Sequence, residues 1–476
     1  MIKKLRLGII LTLCLAMIVG IAACGNGGNN DTPPPTPAPA DPPAEDTATP
    51  ADEPPADEPS DSGDVIVIEY FTYIAGTHGN AQIHADMIGR FNALNEGVYR
   101  MDIVHIPQDD WDDFIKQRAL IGELPTLVNH MHDVDWQMDF VATNQLSLDL
   151  GPWIRENPHI GGLFLPVSVD FITQDDGRIP FLPKFVSNPV GLFYNSDVWT
   201  PSIPTRDMDW DQFVDEIGSD KLTFMTGENA WMTQLLFTAA IANSQGGIDW
   251  LNSHIGSRVT DYNHPAFIEG TRKMQQLLMN NSIPETMLGA TFAEAANSFY
   301  NNDTIMIFNG PWMFGSFREE TGADNWGPDF HGDTVVSDLF PGNIALELPA
   351  EIGLYWVAAD AGEDQIRAAL AYLDFFLSDD EMERHLIGSG GMSPGFTPTA
   401  GFWDKVAEDQ ILQYYMEGLA TNPTVVPRLD QITFDSIAQP DMPNLLPLLA
   451  DGSMTPEEFA QTLTDLAAEV VAAGGF

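Results

Sequence analysis

Cysteine is almost absent from this sequence. Of 476 residues only Cys14 and Cys24 carry a thiol, both near the N-terminus. The rest of the chain therefore has no disulfide, no thiolate nucleophile and no cysteine-held metal. Basic side chains are also scarce: 20 Lys and Arg stand against 69 Asp and Glu, a formal net charge of −49. A surface of that sign repels phosphate, which argues against nucleic acid as a partner. It argues equally against docking of protein side chains on anionic lipid headgroups. Neither a His-Glu-x-x-His pair nor a phosphate-cradling loop occurs, and no second apolar run is long enough for a membrane segment.

The first 24 residues read as an export signal. Lys3, Lys4 and Arg6 are followed by an apolar stretch from Leu7 to Gly20, too short to span a bilayer comfortably, and then by small residues. Ile21-Ala22-Ala23-Cys24 resembles a bacterial lipobox, which implies a lipid on Cys24. Residues 25–64 are Pro, Ala, Asp, Glu, Thr, Ser, Asn and Gly, with no basic and no large apolar residue. Such a segment cannot bury enough surface to offset its ordering entropy, and its prolines and like charges favour extension. It reads as an acidic disordered spacer between a lipid anchor and a folded domain, on the outer face of a single-membrane (Gram-positive) bacterium.

The folded part begins at Val65. The β-rich run 65–68 is followed by a helical pattern over 81–94, a strand over 100–106, a helix over 111–121 and a strand over 126–129. This alternation predicts an α/β layer with parallel strands. A further strand is expected near Val190–Tyr194 and a helix from Trp210. Phe267, Met274, Leu277 and Leu278 share one helical face, as do Ile366, Leu370, Leu373 and Leu377. Thr455-Pro456-Glu457-Glu458 spells a capping box at the start of the last helix, and Ser378-Asp379-Asp380-Glu381 spells a second.

Several stretches resemble the bacterial extracellular solute-binding proteins, the large family that includes maltose-binding proteins. They are Gly191-Leu192-Phe193-Tyr194-Asn195-Ser196-Asp197, the helix after Trp210, Ile307-Phe308-Asn309-Gly310-Pro311-Trp312, residues 353–360 with the helix after them, residues 390–398, and the helix opening at Thr455. The resemblance covers residues 65–476. It implies a two-lobed α/β fold of the type II periplasmic-binding-protein kind, with discontinuous lobes joined by a hinge. One lobe is expected at about 65–186 and 352–392, the other at about 187–351 and 393–476.

A cleft between lobes needs no catalytic group, because a ligand touching both sides favours the closed arrangement. For a sugar it needs aromatic faces against the ring and planar polar groups on the hydroxyls. The resemblance and the local chemistry nominate seven ligand-binding residues. Trp312 follows a Gly-Pro turn that ends a strand. Asp133 closes His130-Met131-His132-Asp133 at a strand's carboxyl end, with simple helix capping as the alternative. Trp231 opens a helix, Glu228 precedes it, and Trp356 lies in Gly353-Leu354-Tyr355-Trp356, where an alternating strand residue is equally a core residue. Tyr73 follows the first strand. Asn188 occupies a hinge-adjacent loop where the maltose-binding relative has a glutamate.

His130 and His132, two apart on a strand, face one way, but no histidine-rich run accompanies them, so no metal and no cofactor is expected. The reading is a non-enzymatic, monomeric lipoprotein that captures a carbohydrate for the transmembrane subunits of an ABC importer. The alternatives are a binding protein for a peptide, polyamine or other polar solute, a ligand-sensing surface co-receptor, and a glycoside hydrolase.

Overall fold

In the computed structural model the described residues are 65–473, apart from 76, 77, 79, 220, 229, 348–350 and 394. The signal, the lipobox with Cys24 and the acidic spacer lie outside the described residues. Those described belong to one unit, Ser62–Phe476.

Strands β1 (Ile66–Thr72) and β2 (Tyr99–His105) pair in parallel, from Ile66↔Tyr99 to Thr72↔His105. A parallel pair needs a crossover, supplied by α1 (Ala81–Leu94). Helix α2 (Gln108–Ile121) leads to β3 (Leu127–Asn129), tied to β1 by Asn129 Nδ2 donating to Thr72 Oγ1 at 3.1 Å. Its ladder partner is β8 (Tyr355–Val357), antiparallel, with Val128 opposite Trp356. Side chains alternate across these strands as the two-residue period requires. Leu127, Tyr355 and Val357 enter the main core, whereas Val128 and Trp356 enter a second core with Trp111, Ile115 and Phe181.

The other group of strands centres on β4 (Gly191–Asn195), antiparallel to β5 (Met306–Asn309) and β6 (Val335–Asp338). Beside it β7 (Ile344–Leu346) pairs in parallel with β9 (Thr424–Val426). Among the described residues parallel ladders are confined to β1–β2 and β7–β9, so the parallel strands expected from the alternation form at β1–β2 but not at β3, whose partner is antiparallel. Every residue of β4 is buried, so both its faces are covered, which fits its unbroken apolar run. Helix α3 (Trp210–Ile217) follows it, capped by Asp209. Helix α4 (Trp231–Ala242) is buried from Met232 to Ala242, and α5 (Pro265–Met279) turns Phe267, Met274, Leu277 and Leu278 inward.

Between the two groups three extended stretches run side by side. Isolated bridges join Pro183 to Ile352, Ser187 to Met392 and Val190 to Leu346. These crossings give the chain two lobes. After them α6 (Glu363–Phe376) and α7 (Asp379–Ser389) return to the first group, α6 packing on β1. The last helix, α8 (Pro456–Ala472), has the expected capping box: Glu458 N donates to Thr455 Oγ1 at 3.2 Å and Thr455 N to Glu458 Oε2 at 2.9 Å. The box expected at Ser378 does not form. The Ser378 hydroxyl donates back to the Phe375 carbonyl, and buried Glu381 takes a forked pair from Arg90 at 2.7 and 2.6 Å. A buried carboxylate gains more from a cation than from one backbone amide. Among the described residues no helix is long and apolar enough to cross a membrane.

Candidate functional site

A cavity of about 1000 Å³ lies at the crossing stretches and takes side chains from both groups of strands. That is the upper end of the range of roughly 300–1,000 Å³ for small-molecule sites. Tyr73, Asp133, Asn188, Glu228, Trp231 and Trp312 all line it.

The second lobe contributes an aromatic wall. β5 ends at Asn309, and Gly310-Pro311 turns the chain so that the Trp312 indole folds back over Gly310. A Cβ on Gly310 would stand 2.2 Å from the ring, so only glycine fits. Trp231 opens α4, and its ring centroid lies 6.2 Å from that of Trp312 and 5.6 Å from that of Phe292. Trp231 and Trp312 are half-buried, which leaves part of each ring to the cavity. The turn before α4 is strained: Glu228 and Ala230 have φ of 53° and 46°. Exposed Glu228 accepts from the Phe292 amide at 3.0 Å, so its carboxylate caps the helix beginning there.

The first lobe contributes a polar wall. The Trp111 indole N–H holds the His130 carbonyl at 2.8 Å, and Asp112 accepts from the His132 and Asp133 amides at 3.1 and 2.8 Å. Burial alone would raise the Asp112 carboxyl, but His132 and these amides outweigh it and hold it at about 2. Asp133 answers to both of its readings: Oδ1 caps the next helix through the Trp136 amide at 2.8 Å, and Oδ2 meets Lys116 Nζ at 2.5 Å on the cavity wall. Tyr73 lies 5.5 Å from His132 and 5.6 Å from His78, ring to ring, and burial raises its phenol.

Between them, at the crossings, Lys184 bridges Glu347 at 3.0 Å and Glu351 at 2.9 Å. Glu347 also accepts from the Ser187 hydroxyl and the Asn188 amide, at 2.7 and 2.8 Å. Burial would raise Glu351, yet Lys184, Arg428 and His130 bring it down to about 2. Further contacts cross between the two walls. Arg258 grips Asp135 in a forked pair, with Nε to Oδ2 at 2.8 Å and a second arm to Oδ1, and reaches the Gln431 carbonyl. Asp435 is pushed up to about 9 by burial and then by Asp133 beside it, so at neutral pH it carries a proton.

Trp356 is a correction. It is 1% exposed, does not line the cavity and belongs to the second core, because β8 is covered on both faces. Lys184, Glu347, Glu351, Arg258, Arg428 and Asp435 carry no signal in the sequence, each being a single charge without a local pattern. Gly391-Met392-Ser393-Pro394-Gly395 has the spacing of a hydrolase nucleophile elbow, but Ser393 is 3% exposed and its hydroxyl donates to the Leu163 carbonyl at 3.4 Å. Among the described residues an isolated bridge at Met392, and no longer strand, leads into it, which is not the strand–turn–helix context of that motif. No group of three or more metal-ligating side chains occurs among the described residues.

The family pattern described as bacterial extracellular solute-binding protein matches residues 86–412. The chain belongs to that family. No functionally curated protein matches this solute-binding protein. Among solved structures it resembles a chitin oligosaccharide binding protein at 15% identity and a TM-score of 0.67, over 86% of this chain and 100% of the other. A Streptococcus pneumoniae solute-binding protein in complex with the blood group A-trisaccharide aligns at 17% identity and 0.62, over 84% and 99%. A maltose-bound protein of T. maritima aligns at 15% and 0.60, over 85% and 99%. At these identities the likeness concerns the fold, which is the two-lobed α/β architecture described above.

Proposed function

We propose that this solute-binding protein captures an oligosaccharide in the inter-lobe cavity and delivers it, chemically unaltered, to the permease of an ABC importer. The observation that carries the reading is the make-up of the cavity. Trp231, Phe292 and Trp312 offer ring faces from one lobe, and carboxylates, amides and imidazoles face them from the other. Aromatic faces suit the C–H faces of pyranose rings, and planar polar groups suit their hydroxyls. A volume of about 1000 Å³ has room for more than one ring. The chitin oligosaccharide, blood group A-trisaccharide and maltose named for the similar structures support the same ligand class.

Contacts from both lobes make ligand binding favour closure, which the permease can read without touching the solute. The lobes divide at about residues 186, 352 and 392, with the three crossing stretches as the hinge. The protein acts as a monomer, and a lipid on Cys24 tethers it outside the cell through the acidic spacer. Cys24→Ser is expected to move it from the membrane fraction to the medium, and retention on the membrane counts against the anchor.

A thermal-shift screen of the full chain against neutral di- and trisaccharides tests the function, since a ligand bound to the native state raises the melting temperature. Chromatography of the same mixtures tests for turnover. No shift with any sugar, or release of cleaved product, overturns the proposal.

A further inference from the structure

Three polar atoms on the cavity wall have no hydrogen-bond partner among the described residues, although their side chains are more than nine-tenths buried. They are Asn80 Oδ1, His84 Nδ1 and Ser389 Oγ, on residues 8%, 5% and 4% exposed. Asn80 is the N-cap of α1 and His84 lies one turn into it, while Ser389 ends α7. The two helices meet here: a Cβ on Gly388 would stand 2.9 Å from Ile83 Cδ1, one residue before Ser389 on one side and before His84 on the other. Gly390 packs against Pro311 in the same way, so this wall adjoins the turn that carries Trp312.

The arrangement breaks two rules at once. Asparagine at an N-cap ordinarily accepts a first-turn amide from an extended backbone. Asn80 instead has φ −100° and ψ 7° and makes no side-chain cap bond. Buried polar atoms are ordinarily paired, because an unpaired one has lost its water without replacement. Here these three lie unpaired around one concavity, besides Nε1 of the half-buried Trp231.

We propose that Asn80, His84 and Ser389 form a recognition subsite for an uncharged, hydroxyl-bearing unit of the ligand. This rests on the oligosaccharide reading above. The amide oxygen accepts, the serine hydroxyl donates or accepts, and a neutral imidazole offers one nitrogen of each kind, which together match vicinal hydroxyls. The wall stays uncharged at neutral pH. Burial, then His78 and His385, hold His84 at about 3, and burial holds His78 and His385 at about 4. The cavity as a whole disfavours anions: eight carboxylates besides the protonated Asp435, and four cations, line it. Each cation already sits in an ion pair, Lys116 with Asp133, Lys184 with Glu347 and Glu351, Arg258 with Asp135, and Arg428 with Asp430. A ligand carboxylate or sulfate would meet more negative than positive charge.

The test is calorimetric titration of the full chain and of Asn80→Ala and Ser389→Ala with maltotriose, raffinose, xylotriose and diacetylchitobiose, and with trigalacturonate as the anionic probe. At least one neutral sugar is expected to bind the parent, each variant to bind it about three- to tenfold more weakly, and trigalacturonate not to bind. Without ligand the variants are expected to melt no lower than the parent, because each loses an unpaired buried atom. A neutral sugar that binds both variants as tightly as the parent overturns the subsite and leaves the oligosaccharide reading standing. Lower melting of both variants without ligand gives the atoms a structural role and overturns the subsite as well. Binding of trigalacturonate overturns the uncharged class, and failure of every sugar overturns both proposals.

Discussion

Arg258 and Asp135, 123 residues apart in sequence, are locked by a two-armed ion pair that joins the two walls of the cavity. Their side chains are 18% and 30% exposed, so the pair is only partly screened by solvent. Because it spans the lobes, it stabilises the arrangement in which they approach. Arg258→Met is expected to weaken ligand binding by about 1–3 kcal/mol and to enlarge the radius of gyration of the ligand-free protein in small-angle scattering. Unchanged affinity together with an unchanged profile would show that the pair does not bias closure.

Gly310 and Trp312 make a second case, in which the backbone sets the ring. Gly310→Ala would drive a methyl group into the indole and swing it away from the cavity. Binding is expected to fall as far as in Trp312→Ala, by about 1–3 kcal/mol, with far-ultraviolet circular dichroism unchanged. If Gly310→Ala binds normally, ring placement does not govern affinity.

Asp435 gives a pH prediction. Its carboxyl is raised from 3.8 to about 9, by burial first and then by Asp133. The folded protein therefore holds a proton there that the unfolded chain releases above about pH 4, and stability falls as pH rises from there to about 9. Asp435→Asn copies the protonated form. It is expected to match the parent in melting temperature at pH 4 and to exceed it by about 2–5 °C at pH 8. Parallel melting curves across that interval would refute the shared proton.

Lys184 works with the opposite sign. Glu351 is lowered from 4.5 to about 2 despite its burial, with Lys184 the first of the groups that hold it down. Its contribution is complete above about pH 4.5 and is lost as pH falls through about 2. Lys184→Met leaves Glu347 and Glu351 without the cation between them. The variant should lose about 3–5 kcal/mol at pH 7 and recover part of it near pH 4, as a carboxyl that is no longer held down takes a proton. Thermal melts from pH 3 to 8 decide the matter, and a variant that weakens further in acid would contradict this account.

The helices were the most legible part of the sequence. The segment 81–94 forms as its helical pattern indicates, 210–217 forms where the family resemblance puts a helix, and Thr455 caps the last helix through Glu458. Strand direction was not legible, because pairing depends on partners such as β3 and β8, which lie more than 200 residues apart. Trp356 misled for a related reason. A three-residue strand covered on both faces buries every side chain, so position alone does not separate a cavity residue from a core one. In the cavity, aromatic residues beside turns carried a local signal, whereas Lys184 and Arg258 carried none. Their partners Glu351 and Asp135 stand 167 and 123 residues away.

The pairing of β3 with β8 also sets when this molecule can become whole. Leu127 to Asn129 leave the ribosome long before Tyr355 to Val357 exist to complete their ladder, and α6, which covers β1, comes later still. The N-terminal half of a nascent chain must therefore wait, with apolar strand edges uncovered, until more than two hundred further residues have been synthesised. A fragment ending before residue 355 would carry most of the cavity's residues and lack the strand that pairs with β3.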